Sequence, residues 1–233
     1  MTVDFSGNQV VVTGGTGALG SAVVGALLAG GASCIVPYVH DAEAQRFPHR
    51  GDPNVTLVSV SDLADETQVA KVYAGRNPCA SIHIAGGFAA GKLAETGKAA
   101  LMAQIDSNLT SCFLCCRAAV KAMLAAGGGR IVNVAARPAL EWRSGAGMTA
   151  YTVAKAGVAA LTVALAEEVA KDGILVNAVA PSIMDTPANR NAMPKANFNA
   201  WPKVEEVAAT IVFLASPDNR VTRGAIVPVY GKS

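Results

Sequence analysis

Tyr151 and Lys155 are the residues of this 233-residue chain whose types and spacing most directly suggest chemistry. They are four positions apart in an apolar run that predicts a helix over 149–171, so we expect both side chains on one face. An ammonium beside a phenol favours the phenolate, and Lys155 should therefore lower the pKa of Tyr151 from about 10 toward neutrality. A phenol of that pKa would be a general acid and base.

A glycine-rich segment, TGGTGALG at 13–20, is the second candidate. It follows a short apolar run and leads directly into a helical one. Glycines let the backbone approach a pyrophosphate, and the helix N-terminus offers free N–H groups and the positive end of its dipole. The alternative is a glycine-rich turn without a ligand. The segment predicts a nucleotide-binding loop made of Gly14, Thr16, Gly17, Ala18, Leu19 and Gly20.

Short β-branched runs alternate with longer helical runs along the whole chain. Strands are predicted at 8–13, 33–39, 55–60, 80–85, 130–135, 174–180 and 225–230, and helices at 19–29, 64–74, 98–126, 149–171 and 204–215. Apolar strands without strict alternation are typical of a sheet covered on both faces. We therefore predict an α/β protein: one Rossmann-type domain over 1–233, with a doubly wound, seven-stranded parallel sheet. The proline- and asparagine-rich stretch 181–202 is predicted to be an irregular substrate loop.

Composition limits the partners that we expect. The 19 Lys+Arg and 17 Asp+Glu residues are scattered, and no basic run indicates nucleic-acid binding. The first residues lack a basic flank followed by an apolar stretch, and the most apolar window, Ala22 to Val36, falls short of the roughly 20 residues of a membrane span, so we expect a cytoplasmic protein without a membrane partner. Only 15% of residues are charged, and two helical runs are apolar on several faces, which predicts a homodimer or homotetramer.

The five cysteines are expected to be buried free thiols in a reducing compartment. Cys112 and Cys115 form a CxxC, and Cys116 follows. That spacing alone could indicate a metal or redox site. It lies in a helical run, however, with no second CxxC and no histidine near it in the sequence. We therefore predict no metal site, and we expect His83 to be a strand-end histidine facing the core or a cofactor.

The glycine segment also resembles the TGxxx(A/G)xG pattern of the short-chain dehydrogenase/reductase family, and later motifs match that family over essentially the whole chain. The resemblance implies an NAD(P)(H)-dependent oxidoreductase that acts on a small-molecule substrate. It implies that Tyr151 is the acid/base, that Lys155 tunes it and holds the nicotinamide ribose, and that Asn108 belongs to a proton relay. Further cofactor-binding positions implied by the resemblance are Asp62, Leu63, Ala85, Gly86, Gly87, Pro181, Ile183 and Thr186.

The choice between NAD and NADP rests on the end of the second strand. Family members that use NAD carry a carboxylate there, which accepts hydrogen bonds from the ribose and repels a 2′-phosphate. The matching position is Tyr38, followed by Val39 and His40, so the carboxylate is absent. A phosphate-binding arginine is also absent at this position, and Asp41 would oppose a phosphate. The sequence favours NADP(H) slightly.

The family's catalytic serine is missing. It should follow the fifth strand, where this chain has Ala135 and Ala136. Losing a preorganised donor to a developing oxyanion costs about 10²–10³ in rate. Ser144, Thr149 or Ser182 could substitute, the substrate could need little polarisation, or the chain could be a nucleotide-binding protein that has lost catalysis.

Four segments, at 17–21, 85–91, 144–151 and 185–201, resemble those of quinonoid dihydropteridine reductases. Those family members also lack the serine and keep the Tyr–Lys pair. A quinonoid pterin is already electrophilic, so its reduction would need less polarisation. The resemblance therefore implies a pterin reductase as one alternative, although Tyr38 replaces the aspartate those enzymes usually have.

Overall fold

A parallel seven-stranded sheet organises the protein, for which a computed structural model describes residues 3–233. Its strand order is β3-β2-β1-β4-β5-β6-β7, so the predicted doubly wound α/β architecture is confirmed. The strands are β1 Gln9–Thr13, β2 Ser33–Tyr38, β3 Val55–Ser59, β4 Ala80–His83, β5 Gly129–Val134, β6 Ile174–Pro181 and β7 Ile226–Val229. Each lies within two residues of its predicted limits.

Nine α-helices connect the strands among the described residues. They are α1 Ala18–Ala29, α2 Asp41–Arg46, α3 Glu66–Tyr73, α4 Lys98–Ile105, α5 Ser111–Ala126, α6 Arg137–Leu140, α7 Thr149–Glu168, α8 Pro187–Ala192 and α9 Val204–Ala215. The predicted single helix over 98–126 is interrupted by a π-helical turn at Asp106–Thr110, and the one over 149–171 ends at Glu168. Three short helices, α2, α6 and α8, were not predicted, because none has enough turns to show an apolar period.

Alternate strand residues pack against opposite layers of helices. Val10 and Val12 of β1 join one core cluster, with α1 and α9, whereas Val11 joins a second cluster, with α3, α5 and α7. Both strand faces are therefore buried, which explains why the strand sequences are continuously apolar.

Two helical stretches, Lys98–Ala126 and Thr149–Glu168, are long and apolar enough to cross a membrane by length and composition alone. This is weak evidence, because a helix that packs on a sheet passes the same test. The α5 and α7 helices do pack on the sheet, with their inner residues in the second core cluster. Their outer faces leave Phe113, Leu124, Val153 and Val163 exposed.

The functional candidates gather where the strand order reverses. The chain leaves β1 toward β2 on one side, whereas β4 pairs with the other side of β1, with Thr13 opposite His83. A crevice opens at the carboxyl ends of strands at such a point. The segment 181–202 lies at the same ends, and most of it is irregular, with two short exceptions that were not predicted. It contains α8 and a 3₁₀ turn at Phe198–Ala200, because Thr186 caps α8 and Pro187 occupies its first turn.

Candidate active site

The glycine segment forms a tight turn that only glycine can occupy at two positions. Gly14 has φ +67°, and a Cβ there would lie 2.6 Å from the backbone nitrogen of Ala85. A Cβ on Gly20 would collide with the carbonyl oxygen of Gly14. Gly17 is the N-cap of α1, with no side chain to cover the first N–H groups of that helix. The turn therefore presents bare backbone donors and the positive end of the helix dipole.

A crevice of about 880 Å³ extends from this turn along the carboxyl ends of β1, β2 and β4. Most of the predicted cofactor-binding residues line it, although they come from four separate segments of the chain. They are Gly14, Thr16, Gly17, Ala18, Leu19, Gly20, Tyr38, His40, Asp62, Leu63, Ala85, Gly86 and Gly87. The fold thus assembles these segments into one continuous wall.

Several residues that line the crevice were not predicted. Glu43 and Arg46 come from α2, and the Glu43 carboxylate accepts a hydrogen bond from Thr16 Oγ1 at 3.5 Å. Ser107 and Ser111 flank Asn108, and Ala188 comes from α8. The acidic residues Asp41 and Glu43 in the first turn of α2 were a sequence signal for the start of a helix after β2. A helix of six residues is too short, however, for its apolar period to show which side chains face inward.

Asn108 lies in the π-helical turn and is buried. Its Nδ2 donates to the Gly87 carbonyl oxygen at 2.9 Å and to the Gln104 carbonyl oxygen at 3.0 Å. Its Oδ1 has no hydrogen-bond partner. Among the buried side-chain nitrogen and oxygen atoms of residues 3–233, only Gln104 Oε1 also lacks one. A Cβ on Gly86 would lie 2.5 Å from that Oδ1. Asn108 is therefore clamped onto the crevice wall with one acceptor free for a further donor.

Lys155 is buried beside Asn108. Its Nζ donates to the Val134 carbonyl oxygen at 2.8 Å, at the end of β5, and lies 3.5 Å from the position that a Cβ on Gly86 would take. Burial lowers the pKa of Lys155 to about 8, although the nearby Cys112 sulfur, when ionised, raises it. An ammonium with one backbone partner retains two further protons to donate.

Tyr151 lies in the first turn of α7, and the prediction for its pKa is wrong. Burial raises the pKa of Tyr151 to about 12. Lys155 Nζ is 5.9 Å from the centre of the Tyr151 ring and donates to Val134 instead, so desolvation outweighs the ammonium. Phe88 packs edge-on against the Tyr151 ring, with 5.1 Å between the ring centroids. The arrangement holds a protonated phenol beside an ammonium.

The three predicted residues at the end of β6 and beyond it are not among the residues that line the crevice. Pro181 is the last residue of β6, Ile183 is partly exposed, and the Thr186 hydroxyl accepts a hydrogen bond from the Asn189 backbone nitrogen at 3.2 Å. Only Ala188 of this region lines the crevice. Thr186 thus caps α8, and α8 contributes Ala188 to the crevice wall.

The position of the missing serine is filled by small apolar residues. Ala135 and Ala136 are buried, and Ala136 is the N-cap of α6 without a side-chain cap. The Ser144 hydroxyl donates to the Glu141 carbonyl oxygen at 2.7 Å, and that of Ser182 to the Tyr230 carbonyl oxygen at 2.9 Å. Thr149 begins α7 two residues before Tyr151, so it points to another side of the helix. The hydroxyl protons of Ser144 and Ser182 are thus already donated to backbone carbonyl oxygens.

The residues present fit a nicotinamide dinucleotide. The glycine turn presents bare backbone donors to a pyrophosphate, and a Cβ at Gly14 or Gly20 would collide with the backbone that shapes the turn. The free acceptor of Asn108 and the Lys155 Nζ both lie against Gly86, which lines the crevice. The crevice volume of about 880 Å³ is within the range expected for a cofactor site.

Comparison with known proteins gives a consistent result. Residues 8–197 match the family model described as short chain dehydrogenase. The galactitol 2-dehydrogenase of Rhizobium johnstonii is 35% identical over 245 aligned residues, covering 97% of this chain and 94% of that protein. The cis-4-hydroxycyclohexanecarboxylate dehydrogenase of Sinomonas cyclohexanicum is also 35% identical, covering 97% and 96%. A Burkholderia thailandensis oxidoreductase structure described as short chain dehydrogenase/reductase family superposes with a TM-score of 0.87 at 29% identity, covering 96% and 91%.

Proposed function

Because the chain belongs to the short chain dehydrogenase family, we propose that it is an NAD(P)(H)-dependent oxidoreductase that uses Tyr151 as its acid/base. One observation carries the proposal. Asn108 and Lys155, which are distant from the glycine turn in sequence, lie against Gly86 in the wall of the crevice that begins at that turn, and Lys155 Nζ is 5.9 Å from the centre of the Tyr151 ring. A nucleotide-binding protein without catalysis would have no physical need for all three.

The roles of the residues follow from their positions. When bound, the nicotinamide supplies or accepts a hydride. Tyr151, whose pKa is raised to about 12 by burial, holds a proton that it can deliver to the substrate oxygen or nitrogen during reduction. Lys155 stabilises the phenolate that remains and donates to the ribose hydroxyls. The Oδ1 atom of Asn108, which has no partner, accepts a hydrogen bond from the group that passes protons to Lys155 in the proposed relay.

The choice of substrate is a second part of the proposal. The relatives named above act, by their names, on a polyol and on a cyclic hydroxy acid, which supports a secondary alcohol and its ketone as the substrate pair. The exposed rings of Phe88 and Trp142 support an apolar or ring-shaped substrate, since both lie in segments that flank Tyr151.

A quinonoid dihydropteridine is a second candidate substrate. Two buried alanines replace the serine that would polarise a carbonyl, and a quinonoid ring needs less polarisation. The relatives named above are other dehydrogenases and give this candidate no support. A pterin assay beside a panel of ketones and secondary alcohols separates the two candidates.

We also propose NADP(H) as the preferred cofactor. No carboxylate ends β2, and His40 and Arg46 both line that part of the crevice, whereas Glu43 opposes a phosphate. Calorimetry with NADH and NADPH side by side tests this. Arg46→Ala should weaken NADPH binding and leave NADH binding within about twofold, and Arg50→Ala, which is exposed outside the crevice, is the matched control. Equal losses for both nucleotides would contradict the assignment.

The central experiment is Tyr151→Phe. The variant should lose about 10²–10⁴-fold in turnover, because the phenol proton is gone, while its nucleotide affinity stays within about threefold. Unchanged turnover would show that Tyr151 is not the acid/base. Failure of the wild-type protein to bind either nucleotide would overturn the proposal as a whole.

A further inference from the structure

A cluster of buried side chains lies behind the active site. His83 ends β4, and Cys112 and Cys116 lie one turn apart on α5. One donor atom from each side chain lies within 4.8 Å of the others, and each residue is less than 5% exposed. In the sequence no histidine lies near these cysteines, but the sheet brings His83 against them. We propose that His83, Cys112 and Cys116 form a binding site for a thiophilic divalent cation, with Zn²⁺ as the expected ion.

The spacing of the donor atoms suits such an ion. His83 Nδ1 and Cys116 Sγ are 3.5 Å apart. A tetrahedral zinc ion with a Zn–N bond of about 2.0 Å and a Zn–S bond of about 2.3 Å separates those two ligand atoms by about 3.5 Å. The two cysteines are four residues apart on one helix, so both sulfurs face the same side. The positions of His83 Nδ1 and Cys116 Sγ therefore match those of two zinc ligands.

Asn133 completes the set of donors. Its Nδ2 donates to Thr162 Oγ1 at 2.9 Å, which fixes the orientation of the amide. Its Oδ1 therefore faces the cluster, 2.8 Å from His83 Nδ1 and 3.4 Å from Cys116 Sγ. Two sulfurs, one imidazole nitrogen and one amide oxygen are a four-atom set in which the sulfurs and nitrogen give the preference for zinc over magnesium or calcium.

Ion binding moves protons that the surrounding hydrogen bonds can accommodate. The structure has His83 Nδ1 donating to Asn133 Oδ1 and Nε2 within 2.8 Å of Ser81 Oγ. Binding transfers the imidazole proton to Nε2, which then donates to Ser81. Ser81 in turn donates to Tyr73 Oη, 2.7 Å away. Both thiols release their protons to solvent, so two protons leave per ion, and two thiolates with one divalent cation form a neutral buried unit.

The position of the cluster connects it to the crevice. Ser111, which precedes Cys112, lines the crevice, and the π-helical turn that carries Asn108 leads directly into α5. An ion held by Cys112 and Cys116 would therefore fix the first turn of α5. This role does not depend on which substrate the enzyme uses.

The test is zinc and cobalt binding by the purified full-length chain, with Cys115→Ser as the matched control. Cys115 is a buried thiol on the same helix but outside the cluster. We expect one Zn²⁺ per chain by elemental analysis, and thiolate-to-metal absorption bands with Co²⁺. Cys112→Ser and Cys116→Ser should each weaken binding by about 10–100-fold or more, and the control should not.

Asn133→Ala and proton release give independent measurements. The first should weaken binding by less than the cysteine variants, and unbuffered titration should release two protons per ion. Absence of Co²⁺–thiolate bands in the wild-type chain, or equal losses in the Cys115→Ser control, would overturn the proposal. Circular dichroism of each variant shows that a loss of binding is not a loss of folding. These readouts are independent of hydride transfer, so they stand even if the proposed enzyme function fails.

Discussion

Lys155 shows how the active site opposes the stability of the fold. Its ammonium is buried with one backbone partner, and burial lowers its pKa from 10.5 to about 8. The unfolded chain therefore binds more protons than the folded one between about pH 8 and 10.5, so this group's contribution to stability rises with pH over that window. Below pH 8 the full penalty is present, on the order of 3 kcal/mol. The site keeps a charge that the core disfavours.

Replacing this lysine tests that balance. Lys155→Met should be more stable than the wild-type chain near pH 7, and the advantage should shrink by on the order of 2–3 kcal/mol as pH rises from about 8 to 10.5. Urea unfolding at several pH values measures it. Lys171→Met, on the 3₁₀ turn after α7, is the control. Parallel pH profiles for the wild-type and Lys155→Met chains would contradict the expected burial penalty.

Gly86 shows that the absence of a side chain can position a neighbouring one. A methyl group there would lie 2.5 Å from Asn108 Oδ1. We expect Gly86→Ala to displace Asn108, to lower turnover by at least about tenfold, and to destabilise the fold by roughly 1–3 kcal/mol. Gly51→Ala, where a Cβ would meet nothing within 4 Å, should be neutral. Steady-state kinetics and thermal unfolding of the two variants give the comparison.

At the scale of elements, short helices determine the crevice wall. The α2 helix contributes Glu43 and Arg46, and α8 contributes Ala188. The α8 helix is only six residues long, so its stability depends on its ends: Thr186 caps it, and Arg190 forms an ion pair with Asp185, whose carboxylate pKa is lowered by that guanidinium. Isolated helices of this length are unstable without such supports.

Removing the cap should loosen α8. Thr186→Ala should cost about 1 kcal/mol and speed amide hydrogen exchange in the first turn of α8, because Asn189 N–H loses its acceptor. Thr186→Ser retains the hydroxyl and should behave like the wild-type chain. Equal exchange rates in all three proteins would show that the cap does not stabilise α8. Nucleotide titration measures whether loosening α8 also weakens nucleotide binding in the crevice.

At the scale of the whole molecule, the apolar outer faces of α5 and α7 are the unusual feature. Phe113 and Val153 are each about half exposed, at 51% and 50%. Exposed apolar patches of this kind mark interfaces. We therefore retain the proposal of a homodimer or homotetramer that is formed through these helices.

A charge on this face should prevent assembly. Phe113→Glu is expected to shift the chain to a monomer, because an unpaired carboxylate would be buried between subunits. Light scattering after size-exclusion chromatography measures the mass in solution. Lys71→Glu, at an exposed position of α3, is the control: it changes the net charge by two units, against one for Phe113→Glu, and lies outside this face. A wild-type monomer, or equal masses for wild type and Phe113→Glu, would contradict the proposal.

The sequence by itself determined the sheet and the glycine turn at one end of the crevice. Strand limits follow from local apolar runs, and the glycine turn and the Tyr151–Lys155 spacing are properties of neighbouring residues. Those signals depend only on neighbouring residues, so they can be recognised without knowledge of the fold. The caps of α8 were also visible in Thr186 and Pro187, but a six-residue helix leaves no period to confirm them.

Only the tertiary structure decided which distant groups share an environment. Burial, rather than the adjacent ammonium, sets the pKa of Tyr151, because desolvation depends on everything packed around the ring. Pairing of β4 with β5, and packing of α5 on the sheet, placed His83 beside Cys116 and Asn133. These are contacts between residues 17 to 50 positions apart. Sequence spacing carries no information about such distances, since packing between layers fixes them.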